Sequence, residues 1–88
     1  MIGALQIEEI RLYIKSLKEN ELTTRKEILL SELATARKYQ LTDDEKQFTI
    51  EQLTWLDARL LGIPETGVKA WWFRAKRRVR YANDLRKL

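Results

Sequence analysis

The chain has no cysteine and no histidine, and these two absences remove most of the side-chain chemistry that enzymes use. Without cysteine there is no disulfide framework and no thiolate zinc site, a composition that suits a reducing compartment. Without histidine the commonest general base and the commonest metal ligand are missing. One proline and three glycines leave no Gly-rich phosphate loop and no flexible linker. No apolar run approaches the ~20 residues that span a bilayer. The opening MIGALQIEEI carries no basic region ahead of its apolar residues, so no secretory leader is expected. The expectations are a cytoplasmic protein with no membrane contact, no cofactor, no metal and no enzymatic activity.

What is present is a short chain of 88 residues, 44% hydrophobic and 34% charged. That is enough for a single domain with one core. The net charge of +4 is unevenly spread. Residues 1–63 carry nine Lys/Arg against 11 Asp/Glu, and residues 64–88 carry eight against two. A neutral-to-acidic body with one strongly basic end makes a directional field that attracts polyanions. A merely solvated charged face is the plainer reading.

Apolar spacing predicts four helices and an all-α, compact four-helix bundle. The first is expected over residues 4–19, with Ile7, Ile10, Tyr13, Ile14 and Leu17 on one face and Leu5 and Leu12 on the other. A break is expected over residues 20–23. Thr24 and Glu27 have capping-box spacing, so the second helix is placed over residues 25–40, burying Leu29, Leu33 and Ala36. Thr42 and Glu45 repeat the box, and Asp43 and Asp44 favour the positive end of the helix dipole. This acidic trio is helix-start chemistry rather than a metal site. The third helix should then stop at Gly62. Leu53, Leu56 and Leu60 form one of its stripes, with Phe48 and Trp55 nearly opposite. Either the helix is sandwiched in its bundle, or Phe48 and Trp55 dock a protein partner or a second copy.

Pro64 suits a first helical turn, so the fourth helix is expected over residues 64–85. Val68, Trp72, Ala75, Val79 and Ala82 repeat at i, i+4, i+7, i+11, a docking face, with Trp71 at its flank. Lys69, Phe73, Arg74, Arg77 and Arg80 cover the other side. The expected organisation is a single domain, an N-terminal helical pair over residues 1–41 and a helix-turn-helix with a basic last helix over residues 42–88.

The run Leu61-Gly62-Ile63-Pro64-Glu65, with Val68-Lys69, Arg74-Ala75-Lys76 and Arg78-Val79-Arg80, resembles the second half of the promoter-reading last domain of bacterial sigma factors, region 4. The resemblance covers about 20 residues. It departs where Thr66-Gly67 inverts the family's Gly-Thr and where Trp71-Trp72 replaces a basic-Leu pair. A homeodomain-like resemblance through Val68-Lys69-Ala70-Trp71 is weaker, because Arg74 stands where that family has its adenine-reading Asn. The sigma-like resemblance implies a small DNA-binding transcriptional regulator, its size suggesting a phage or mobile element, whose last helix lies in the major groove of double-stranded DNA. It implies base contacts from Glu65, Thr66, Lys69 and Ala70, chemistry consistent with guanine, cytosine and thymine edges. Arg74, Lys76, Arg77, Arg78 and Arg80 would then meet phosphates, and Phe73 a base or a partner. The alternative, from another class, is a helical interaction or assembly module using the basic helix and exposed aromatics. RNA binding is a third option.

Overall fold

The computed structural model describes residues 3–39 and 42–87, and the side chains of 3–35 and 42–84. It is all-α, with four helices: α1 (Ala4–Ser16), α2 (Glu19–Tyr39), α3 (Asp43–Leu60) and α4 (Val68–Lys87). α3 is the hub, and α1, α2 and α4 each pack against it. Its residues from Thr49 to Ala58 are all buried, which is why its apolar residues point to more than one side. α1 and α2 contact α3 more than they contact each other, so the N-terminal pair is not a free-standing hairpin. Ile10, Ile14, Leu17, Leu22, Leu29, Leu33, Leu53 and Leu56 form the core cluster with Trp55 and Tyr81. Among the described residues no helix is long and apolar enough to cross a membrane.

The first break falls earlier than the capping-box spacing predicts. Leu17 is extended, and the Lys18 N–H donates to Glu21 Oε1 at 3.1 Å. Leu17 and Leu22 are both buried, one before the cap and one at the fourth helical position, the arrangement of a hydrophobic staple. Burial at the staple outweighs the Thr24 signal. Thr24 sits inside α2, and its hydroxyl donates back to Asn20 O. The expected helix end at Gln40 and the side chain of Ala36 lie outside the described residues.

α3 starts as expected, with Thr42 Oγ1 accepting from the Glu45 N–H at 3.2 Å. It ends in a Schellman motif. Gly62 has φ 73°, its N–H donates to Arg59 O at 3.1 Å, and the Ile63 N–H donates to Ala58 O at 2.8 Å.

α4 begins at Val68 rather than at Pro64. Gly67 has φ 107°, which no helix can carry, so the inverted Thr66-Gly67 pair holds residues 61–67 as a connection. Trp71 N–H then donates to Gly67 O at 3.0 Å to open the helix.

Candidate nucleic-acid interface

The face on which α4 docks is the reverse of the expected one. Val68 is 73% exposed, Trp72 53% and Val79 60%, while Ala75 is half-buried. Of the expected seam only Ala82 packs against the core cluster. The docked face instead carries Ala70 (1% exposed) and buried Tyr81, with Phe73, Arg74, Arg77 and Arg78 half-buried beside them.

The reason is electrostatic. α3 buries two carboxylates, Glu51 and Asp57, and a buried charge must be paired. Glu51 Oε1 accepts from Trp55 Nε1 at 3.0 Å. The Arg78 guanidinium grips both Glu51 oxygens, Nε to Oε2 at 2.8 Å and Nη2 to Oε1 at 2.6 Å. Such a two-point pair is the strongest form of charged hydrogen bond. Asp57 is met by Lys26 Nζ at 2.8 Å and Arg77 Nη1 at 3.6 Å, and Tyr81 donates its hydroxyl to Oδ2. Four of these partners come from α4 or α2, so the carboxylates select the arginine face and leave the apolar seam outward.

The Tyr81 phenol is pushed well above its usual range by burial first, then by its hydrogen bond to Asp57 and that carboxylate's charge. A raised folded-state value for an acid favours the neutral form, so its stabilisation is fully present below the ordinary tyrosine range and is lost as pH rises from there toward the raised folded-state value. Stability should fall by up to about 1.4 kcal/mol per pH unit above about pH 10. Urea midpoints of the parent and Tyr81→Phe chains across that window check this, since the Phe variant should lack that part of the decline.

Three further arginines are committed within the fold. Arg74 lies 4.5 Å over the Trp55 ring and donates to Glu65 O at 3.0 Å. Its burial there, then the charge of Arg78, weakens its hold on the proton. Arg11 donates to Glu65 Oε2 at 2.7 Å and also to Glu8, tying the connection to α1. Arg59 donates to Ile14 O.

The ten sequence-predicted site residues therefore divide. Ala70 is buried against the body and cannot meet a base. Glu65 is ion-paired to Arg11 in the connection, where Thr66 is exposed. Arg74 and Arg78 are engaged by Glu65 O and Glu51. Lys69, Lys76 and Arg80 are exposed. Phe73, Lys76, Arg77 and Arg80 converge around one concave site of about 230 Å³, with the Arg77 guanidinium 4.9 Å over the Phe73 ring.

Lys69, Lys76 and Arg80 recur at i, i+7 and i+11, so they form one ridge along α4, and the concave site opens along it. Three cations and an aromatic ring can hold a phosphate and stack a planar group. Trp55 is buried under Arg74, as in a helix sandwiched in its bundle rather than as a partner anchor, whereas Phe48 is 38% exposed. The roles of Glu51, Asp57 and Tyr81 were not anticipated. The signal for them is the acid content of α3 facing Arg77 and Arg78 of α4, which hydrophobic periodicity does not register. Comparison with protein-family models, with characterised proteins and with solved structures finds no match for this chain.

Proposed function

We propose that the protein is a small DNA-binding protein that grips the phosphate backbone with the cationic ridge of α4. The observation that carries this reading is the convergence of Lys76 and Arg80 with Phe73 on one concave site, whose third cation, Arg77, is shared with Asp57, continued by exposed Lys69. The resemblance of residues 61–80 to a promoter-reading helix-turn-helix supports the same ligand class. Base reading is assigned to fewer residues than that resemblance implies. With Ala70 buried and Glu65 paired to Arg11, Thr66 and Lys69 are left to meet base edges. Backbone contacts then dominate, which gives strong salt dependence and modest sequence discrimination.

With Arg74 and Arg78 held internally, three to four cations remain for phosphates. Log affinity for duplex DNA should fall with log salt at a slope near −3. Combining Lys69→Ala, Lys76→Ala and Arg80→Ala should weaken binding at least about tenfold and flatten the slope toward zero. These residues are exposed, so the fold should persist. Fluorescence anisotropy of a mixed-sequence duplex at two salt concentrations measures both quantities. Full affinity in the triple variant, or no binding by the parent chain at low salt, would refute the reading. The outward apolar strip of α4 favours an assembly role beside this one.

A further inference from the structure

The outward strip of α4 has a spacing of its own. Val68, Trp72, Ala75 and Val79 alternate by four and three residues, the a/d repeat of a two-stranded coil rather than the broad apolar face of a bundle or lipid-surface helix. Val68, Trp72 and Val79 are more than half exposed, and Trp71 and Trp72 meet edge to face at 5.2 Å. Ala70 and Tyr81, which dock α4 on its own body, lie on roughly the opposite side of the helix. Two copies joined through this strip would carry their bodies pointing away from one another.

We infer that the strip pairs with the same strip of a second copy, antiparallel, about an axis between Phe73 and Arg74. In that register Trp72 meets Ala75 of the other copy and Val68 meets its Val79. The largest side chain faces the smallest, and the valines face each other. Trp71 comes beside Arg78 of the second copy, a pairing of ring and guanidinium. The Trp and Val side chains of both copies would cover on the order of 1,000 Å² together, the lower limit for a specific interface, so the dimer is reversible.

The charge pattern fits a polyanion-bound dimer. Lys69 of one copy falls beside Lys76 of the other, and among the described residues no acid is ion-paired with either. The two cationic ridges thus join into one. Resting on the DNA-binding reading above, this makes each monomer half of the site, with nucleic acid tightening the dimer and the dimer tightening nucleic acid.

Sedimentation velocity of the full chain, without nucleic acid and at moderate salt, tests the pairing. The parent chain should show a monomer–dimer equilibrium. Val68→Glu should weaken it at least about tenfold, because an unpaired carboxylate enters the seam. Combining Val68→Glu with Val79→Lys should restore most of that loss, since the two positions face each other only in the antiparallel register. Circular dichroism should be unchanged in both variants, whose substituted positions are exposed.

A chain that stays monomeric at every attainable concentration overturns the inference. So does a dimer that ignores Val68→Glu or is not rescued by the pair. A monomer that uses this strip to bind anionic vesicles or an acidic helical peptide overturns it as well. Duplex titration is read separately: a rescued dimer with no affinity for DNA refutes the functional reading and leaves the pairing standing.

Discussion

We expect the Asp57→Ala chain to unfold about 20 °C below the parent. Asp57 is 2% exposed and is a carboxylate at which three helices meet. α2 supplies Lys26, and α4 supplies Arg77 and the Tyr81 hydroxyl. Removing the carboxylate leaves a buried phenol without an acceptor and two cations facing each other across a void. Breaking one side of a buried ionic cluster costs about 3–5 kcal/mol. In a chain this short each kcal/mol moves the midpoint by roughly 4–8 °C, and the whole stability of such a domain is only about 5–15 kcal/mol. Single-domain unfolding followed by calorimetry reads the effect directly. The loss should come from unpaired partners rather than from an intrinsic virtue of the ion pairs. Combining Asp57→Leu with Lys26→Met and Tyr81→Phe should therefore recover much of it. A midpoint within a few degrees of the parent in Asp57→Ala would show that the three helices are not tied at this point.

How much of this was legible in the sequence depends on which force decided each feature. Local hydrogen bonding was legible. The Thr42–Glu45 start and the Gly62 stop follow from the chain within three or four residues, and both stand where spacing placed them. Ordinary burial was legible too, since Ile10, Ile14, Leu29, Leu33, Leu53 and Leu56 occupy the core. Two boundaries were displaced by features that look minor in a sequence. Leu17 and Leu22 flank a cap that has no Ser or Thr, and a positive-φ glycine at position 67 delays α4.

The orientation of α4 was not legible from its own periodicity. Two faces of that helix each had a claim on the body, one apolar and one rich in arginine. The deciding groups, Glu51 and Asp57, sit on another helix, and leaving either one buried and unpaired would cost more than exposing two valines and half of a tryptophan ring. The same cause divided the candidate site. Arginines that read as phosphate ligands in isolation are partly consumed by the fold, and the residues left free are Lys69, Lys76 and Arg80.

That competition between fold and ligand can be turned into an opposed pair of effects at Glu51. Glu51→Gln keeps an oxygen for Trp55 Nε1 and removes the charge that holds Arg78. The lost charged hydrogen bonds should cost about 1.5–3 kcal/mol and lower the midpoint by about 10 °C. The guanidinium of Arg78, no longer clamped on α3, becomes available to phosphates flanking the edge of α4 opposite the ridge. Affinity for duplex DNA should then rise several-fold, and the salt slope should steepen by about one. Combining Glu51→Gln with Arg78→Gln should abolish that gain while recovering part of the stability, because neither partner is left charged and alone. Urea denaturation gives the first quantity and duplex anisotropy at two salt concentrations the second. A variant that loses stability and binds DNA no better, with an unchanged slope, would mean that Arg78 does not reach the backbone. The cationic surface would then be bounded by Lys69, Lys76, Arg77 and Arg80.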